Sequence, residues 1–321
     1  MMKKIFIWLL IIFYVSVSSP ACIVSSKNDI CLAGASNYRY WYGSAPTAAG
    51  MLLSWYDRKG YSNLMPDCEA ETCTFDVTGA IVNNSIASSG HINDFYRAGY
   101  GHFKDDVFFP THQPDCLADF MGTSQDWYGN VNGETKFFFF TDNSPTTPEK
   151  MLGLHWFRPF GDGMYGIGEY IKYRGYKTSA LYNQLIYGYG GKSAGFTYEQ
   201  YQAQIDSNCG VLIHLINEFT GFTQTVYGYG YNNLGDVLVY DTQGPYGQNP
   251  GFLKWGEYYF QGGQWLTQYG VTIVNLHPAP EPAPIVLMLT GFSFFVKIIK
   301  KKMKILKSDE EAAARQYFHR N

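Results

Sequence analysis

The chain has 321 residues, enough for one large domain or two small ones, and its apolar content of 46% is ample for a packed core. Its formal net charge of −3, without a basic run in the middle of the chain, gives no reason to expect nucleic acid as a partner. Aromatic residues make up 18% of the chain, which is typical of a β-rich exported protein and also of a surface that binds glycans or peptides.

The N-terminus has the three regions of a secretory signal peptide. Two lysines precede an apolar run at 5–17, and small residues then lead to Ala21. We therefore predict a signal peptide over residues 1–21 and an exported mature chain that begins at Cys22. A lipoprotein cleaved before Cys22 is the second interpretation, because the preceding Ser-Pro dipeptide fits that pattern poorly.

Six cysteines remain after removal of the predicted signal peptide, and an even number in an exported chain favours disulfides. The pairs closest in sequence, Cys22/Cys31 and Cys68/Cys73, are the simplest to propose. The spacing of cysteines and histidines matches no zinc motif. We therefore expect neither a bound metal nor a cofactor. The cysteines are Cys22, Cys31, Cys68, Cys73, Cys116 and Cys209.

A buried helix is predicted early in the mature chain. Residues 47–56 carry small and apolar side chains around almost the whole helical turn. Ser44 stands just before this run and is suited to an N-cap, while Pro46 is suited to the first turn. From 60 to 162 the periodicity is weak, which indicates irregular structure with short helices, one of them at 115–121.

The second half predicts two helices and a series of strands. A helix near 162–174 precedes strand-like residues 177–182, and Thr197 with Gln200 forms a capping-box pattern at the start of the next helix. Helices followed by an antiparallel β meander indicate the α+β class. The predicted strands are 210–216, 223–231, 237–241, 252–260 and 270–276.

The C-terminus has a proline-rich spacer at 278–283, an apolar segment with a basic flank at 284–304, and a tail at 305–321. The apolar segment is marginal for a spanning helix, and the lysines after it favour a cytoplasmic edge. The Pro-Glu-Pro triplet at 280–282 resembles the PEP-CTERM sorting signal of Gram-negative-type bacteria. This resemblance implies an exosortase-type processing enzyme as a partner, delivery to the cell envelope, outer surface or extracellular matrix, and membrane attachment that is at least transient. The tail is longer than the short basic end usual in that signal.

Four segments within 37–276 carry a second resemblance: YGSAPTAAGMLLSWYDRKGY, DCLADFMGTSQ, GVLIHLINEFTGFTQTVYGYGY and VYDTQGP with the later WGEYY. Together they resemble the peptidase-family-39-like proteins of bacteria, a group of papain-like cysteine peptidases that also includes chains with PEP-CTERM tails. The resemblance implies a papain-like α+β fold over 22–277, with a buried helix packed on a late antiparallel sheet.

In active members of this group, a Cys at a helix start attacks the substrate, a His on a strand transfers the proton, and an Asp or Asn orients the His. The resemblance aligns Ser44 with the Cys, Phe222 with the His and Asp241 with the orienting residue. Tyr38 stands where a glutamine for the oxyanion is expected. Because a phenyl ring cannot take a proton from serine, the set implies a catalytically inactive homologue.

The function expected from this set is binding of a peptide or an extracellular polymer in the former catalytic cleft. One alternative is an active peptidase or acyl-transferase that uses Ser44 with a relocated histidine, for which His214 is the nearest candidate. Another alternative is an aromatic-rich surface adhesin. The aromatic residues expected to line the cleft are Trp41, Tyr42, Phe222 and Trp255.

The remaining histidines carry weaker signals. His91 could bind a metal or orient a substrate, but a lone histidine beside a turn is more often a cap or an exposed side chain, and that is the role expected for it. His102 and His112 flank Asp105 and Asp106, which are suited to a hard metal ion but lack regular ligand spacing.

Overall fold

A computed structural model of the chain divides into two compact units, residues 1–277 and 278–321. The predicted signal peptide and the segments after residue 278 lie outside the described residues. Within the part of the chain that is described, no helix is both long and apolar enough to cross a membrane. The described residues are 29–66, 81–95, 114–125, 128–154, 161–242 and 250–278.

Mixed helices and antiparallel strands form the described part of the first unit, which confirms the α+β class. The helices are α1 (Ser44–Arg58), α2 (Ile81–Ile86), α3 (Ser89–Phe95), α4 (Leu117–Phe120), α5 (Pro148–Leu152), α6 (Gly163–Tyr173) and α7 (Tyr198–Asp206). The strands are β1 (Ile30–Cys31), β2 (Thr178–Leu185), β3 (Val211–Ile216), β4 (Thr223–Tyr231), β5 (Asp236–Tyr240), β6 (Pro250–Lys254), β7 (Tyr258–Gln261) and β8 (Gln264–Leu276).

The strands form one antiparallel sheet in the order β2-β8-β3-β4-β5-β6, with β1 paired to β4 and β7 paired to β8. The predicted meander is correct for β3 to β6, but β8 inserts between β2 and β3. The single strand predicted at 252–260 is wrong, because the chain turns between β6 and β7. Gly256 in that turn has a φ of 78°, which favours glycine.

Helix α1 is the central helix, as predicted. Its residues from Ala45 to Asp57 are buried, and it packs against β4 and β3. Small residues allow this close packing: a Cβ on Gly50 would lie 2.8 Å from the Ile86 side chain of α2. The Tyr56 hydroxyl donates to the carbonyl of Val274 at 2.9 Å and ties the helix to β8. The packing fixes the start of α1 against the sheet.

The two later helices begin where their caps predict. Asp162 accepts the N–H of Tyr165 and caps α6. Thr197 and Gln200 form the predicted reciprocal capping box at the start of α7, with distances of 3.3 and 2.8 Å. Local side-chain chemistry therefore sets both helix starts.

The cysteines are only partly paired. Cys31 is disulfide-bonded, and its partner lies outside the described residues. Cys116 and Cys209 are free thiols. The disulfide interpretation of the even cysteine count is therefore wrong for these two.

Candidate functional site

A sharp turn leads into α1. Tyr42 has a φ of 53°, in the left-handed region, and Gly43 has a φ of 146°. A Cβ on Gly43 would lie 2.8 Å from the carbonyl oxygen of Gly133, so this position requires glycine. The Thr47 hydroxyl donates to the Gly43 carbonyl at 2.7 Å and holds the turn closed. The turn presents Ser44 at the first position of α1.

Ser44 contacts the sheet and does not cap its helix. The N-cap of α1 is Gly43, with no side-chain hydrogen bond, so the N-cap role predicted for Ser44 is wrong. The Ser44 Oγ accepts the backbone N–H of Thr225 in β4 at 3.2 Å. Its hydroxyl therefore joins the start of α1 to a strand that lies far away in sequence.

Ser44 and Phe222 line the same cleft, which has a volume of about 740 Å³. Four parts of the chain contribute to its walls: residues on both sides of the turn before α1 (39–40 and 44–45), the loop at 131–135, the end of the β3–β4 hairpin at 220–225, and Thr242 after β5. The Phe222 side chain is 40% exposed. The positions aligned with the nucleophile and the base are therefore in one cavity.

The third aligned position lies at the side of this cleft. Thr242, the residue after Asp241, lines the cleft. The Asp241 carboxylate accepts the hydroxyl of Tyr259 at 3.1 Å. Tyr38, which stands where the resemblance expects a glutamine that stabilises the oxyanion, is only 1% exposed. The strand residue that contacts Ser44 is Thr225, three positions after Phe222.

Three of the four aromatic residues expected in the cleft lie elsewhere, which corrects that prediction. Trp41 precedes the sharp turn and Tyr42 belongs to it, and both pack against a buried cluster that contains Cys116. Trp255 packs on Tyr201, with ring centroids 5.5 Å apart. Phe222 lines the cleft as expected, and it is joined there by Tyr40.

His214 is a buried structural residue. It is 1% exposed, and its ring nitrogens lie 3.0 Å from the Thr225 hydroxyl and 2.8 Å from the Thr272 hydroxyl. Burial lowers the pKa of His214 from 6.5 to about 3, so the imidazole is neutral. Both of its nitrogens face threonine hydroxyls, and Thr225 is the residue that contacts Ser44. This geometry gives His214 no direct hydrogen bond to Ser44.

The polar contacts of His214 continue across the core. The Thr272 hydroxyl donates to Asn183 Oδ1 at 2.6 Å, and Asn183 Nδ2 donates to Asp162 Oδ2 at 3.1 Å. Asp162 is fully buried, and this burial raises its pKa from 3.8 to about 7 although N–H groups donate to it. A buried polar chain thus runs from the strand beside Ser44 to the start of α6.

A second polar cluster surrounds His91, which the sequence suggested as a cap or an exposed side chain. That prediction is wrong, because His91 is 0% exposed and its Nδ1 lies 2.7 Å from Asp119 Oδ1. Cys116 belongs to the same cluster, and burial raises the pKa of its thiol well above the ordinary value. The signal in the sequence was the three-residue spacing of Cys116 and Asp119 at a helix start.

The other histidine and aspartate pairs considered for a metal, at 102–112, lie outside the described residues. No protein-family model matches the chain, and no curated protein is significantly similar to it in sequence.

Proposed function

We propose that this protein is a papain-like peptidase homologue that has lost its chemistry and binds an extended peptide in the cleft beside Ser44. The position of α1 supports the proposal, because a buried helix that begins at the nucleophile position packs on an antiparallel sheet. The second supporting feature is the cleft itself, which Ser44 and Phe222 share.

The observation that carries the proposal is a free strand edge inside the cleft. Strand β4 pairs with β3 from Thr223 onward, but its pairing with β5 begins only at Tyr227. Within the described part of the chain, the start of β4 therefore has a neighbouring strand on one side only. Such an edge offers unpaired backbone groups to another chain.

The direction of these backbone groups follows from the hydrogen-bond pattern between β3 and β4. In an antiparallel pair, alternate residues direct their N–H and C=O groups toward the partner strand and away from it. Thr225 donates its N–H to Ser44 and not to β3. Thr223, two residues earlier, therefore also directs its backbone groups away from β3 and into the cleft. An extended peptide can pair with these groups by strand addition, with Phe222 beside it as an apolar contact.

The chemistry of the cleft supports binding without turnover. Its described lining residues include no histidine, and His214 is held by two threonine hydroxyls. A serine hydroxyl needs a positioned base to become a nucleophile. The same residues therefore argue against a peptidase or acyl-transferase that uses Ser44 with a relocated histidine.

The proposal includes export and sorting. The signal peptide at 1–21 would deliver the chain across the membrane, and the segment at 284–304 would hold it at the envelope until an exosortase-type enzyme processes it. Replacing the Pro-Glu-Pro triplet at 280–282 with alanines would test the sorting step by cell fractionation.

The first prediction is that the purified protein does not hydrolyse peptides or acyl esters. Ser44→Ala should leave the rate at the buffer background, because Ser44 has no base. The variant should also lose about 1 kcal/mol of unfolding free energy, since the Thr225 N–H loses its acceptor. Hydrolysis by the wild-type protein that disappears in Ser44→Ala would refute the inactive assignment.

The second prediction concerns the strand edge. Dodecapeptides selected from a random displayed library against the wild-type protein should bind at least tenfold more weakly to Thr223→Pro, which lacks the backbone N–H. Thr223→Val keeps that N–H and loses only the hydroxyl of an exposed side chain, so its affinity should stay within twofold. Fluorescence anisotropy measures both affinities, and circular dichroism checks that the proline variant is folded.

A second pair of variants tests the same cleft without altering the backbone. Phe222→Ala should weaken the selected peptides about tenfold or more, since buried aromatic contacts dominate interfaces. Phe219 lies in the same hairpin loop and is fully exposed, so Phe219→Ala is the matched control and should change affinity less than twofold. Equal effects of the two alanine variants, or equal affinities for Thr223→Pro and Thr223→Val, would contradict the proposal.

A further inference from the structure

The described residues contain one buried cluster of three possible metal ligands, His91, Cys116 and Asp119. One ligand atom from each residue lies within 4.8 Å of the others. Their exposed fractions are 0%, 0% and 1%. His91 is on α3, whereas Cys116 is the N-cap of α4 and Asp119 lies within α4. The cluster therefore joins two helices that are far apart in sequence.

Neighbouring groups orient each side chain of this cluster. The Asp119 Oδ2 accepts the backbone N–H groups of Asp115 and Cys116 at 3.0 and 3.3 Å, and its Oδ1 lies 2.7 Å from His91 Nδ1. The backbone N–H of Asp119 donates to the Cys116 side chain as part of a capping box at the start of α4. The Ser88 hydroxyl also accepts the backbone N–H of His91 at 3.2 Å. This arrangement presents an oxygen, a nitrogen and a free sulfur to one point.

We propose that this cluster binds a single divalent cation of the zinc class. Thiolate, imidazole and carboxylate are the protein ligands that Zn²⁺ takes, and three of them leave a fourth position for water. The charges also fit, because one thiolate and one carboxylate neutralise a divalent ion, so burial of the complex is less costly than burial of either anion alone.

Metal binding requires only a small rearrangement. Bonds of about 2.0–2.3 Å to a tetrahedral zinc ion place its ligand atoms about 3.3–3.8 Å apart. The His91–Asp119 contact of 2.7 Å would therefore lengthen by about 0.6 Å or more, any separation near the 4.8 Å limit of the cluster would shorten by about 1 Å, and two metal bonds would replace the hydrogen bond between His91 and Asp119.

The position of the cluster gives the ion a structural role. Trp41 and Tyr42 pack against the apolar residues around Cys116; Trp41 immediately precedes the turn that presents Ser44, and Tyr42 is part of it. A cation that joins α3 to α4 would therefore stabilise the packing surface beneath one wall of the cleft. This role does not depend on whether the cleft binds a peptide.

The test is a titration of the chelator-treated full-length protein with Co²⁺ and Zn²⁺, without reductant because Cys31 is in a disulfide. We expect one Co²⁺ per chain, with visible bands of a tetrahedral site and a near-ultraviolet charge-transfer band from the thiolate. Zn²⁺ should displace Co²⁺. Zn²⁺ should also raise the melting temperature of the wild-type protein by mass action.

Matched variants locate the site. Cys116→Ser should abolish the charge-transfer band, whereas Cys209→Ser, which removes the other free thiol, should retain it. His91→Ala should weaken Zn²⁺ binding on the order of a hundredfold, whereas His277→Ala should change it less than twofold. Absence of stoichiometric binding and of a melting shift in the wild-type protein would overturn the proposal, as would a charge-transfer band that depends on Cys209.

Discussion

Replacement of Gly166 by alanine is expected to lower the unfolding free energy by about 3 kcal/mol or more. Gly166 lies in α6 where the helix crosses α4. A Cβ at this position would lie 2.0 Å from the carbonyl oxygen of Phe120 and 2.5 Å from the Cα of Met121. Both atoms belong to the backbone, so the two helices would have to separate.

Two other glycines serve as controls for this effect. A Cβ on Gly168 would meet only the end of the Leu181 side chain, at 2.5 Å, and that side chain can rotate. Gly168→Ala should therefore cost less, and the gain in helix propensity of about 1 kcal/mol offsets part of the cost. A Cβ on Gly153 would lie 3.4 Å from its nearest neighbours, so Gly153→Ala should stay within about 0.5 kcal/mol of wild type.

Urea unfolding followed by circular dichroism measures all three variants. The order of stability should be Gly153→Ala, then Gly168→Ala, then Gly166→Ala. A Gly166→Ala protein as stable as the Gly168→Ala protein would show that the α4–α6 crossing is looser than the structure has it.

The elements that the sequence predicted well are those whose signals are local. The apolar residues of α1 surround the helical turn, and the caps at Asp162 and Thr197 stand directly before α6 and α7. Strand β4 begins and ends at the predicted residues. In each case, neighbouring residues in the chain supply the physical cause.

The short helices, and the turn that separates β6 from β7, have few features in the local sequence that would predict them. Helix α5 has only five residues and begins with Pro148 after the Thr147 cap, a pattern too short for periodicity to detect. The β6–β7 turn at Gly256 lies between aromatic residues that all favour strands. The insertion of β8 beside β3 depends on long-range pairing, which hydrophobic alternation does not specify.

The candidate site shows the same division. The resemblance led to Ser44 and Phe222, and both line the cleft. It did not lead to Thr225 as the contact of Ser44, because a motif aligns residues in the chain and does not fix which backbone group faces the helix. The clusters of His91 and His214 were missed for a related reason: the partners of each histidine lie on other elements of the chain, and no sequence spacing links them to it.

The second large effect is expected in the buried chain that joins Asp162 to His214. Burial raises the pKa of Asp162 from 3.8 to about 7. Between these values the folded protein retains a proton that the unfolded chain releases. The contribution of Asp162 therefore makes the unfolding free energy fall as the pH rises from about 4 to about 7.

The titration of His214 has the opposite effect on the unfolding free energy. Burial lowers its pKa from 6.5 to about 3, so between these values the unfolded chain binds a proton that the folded protein excludes. Its contribution makes the unfolding free energy rise over the same range. Each contribution spans roughly 4–5 kcal/mol, and the two largely cancel in the wild-type protein where their ranges overlap.

Single variants should separate the two contributions. Asp162→Asn removes the falling contribution, so the stability of this variant relative to wild type should improve as the pH rises from about 4 to about 7. His214→Gln keeps groups that can bond Thr225 and Thr272 but does not titrate. Its stability relative to wild type should therefore decline as the pH rises from about 3 to about 6.5.

Urea unfolding at a series of pH values measures both differences, and subtraction of the wild-type curve removes the titration of all unaltered groups. Asp142→Asn is the control, because this carboxylate is exposed and hydrogen-bonding to Ser144 lowers its pKa. The stability of this variant relative to wild type should change only slightly with pH. The slope should be opposite in sign to that of Asp162→Asn. Curves of the same sign for Asp162→Asn and His214→Gln would contradict the assignment. Opposite slopes would instead establish that His214 is held neutral as part of the core, which is the state that leaves Ser44 without a base.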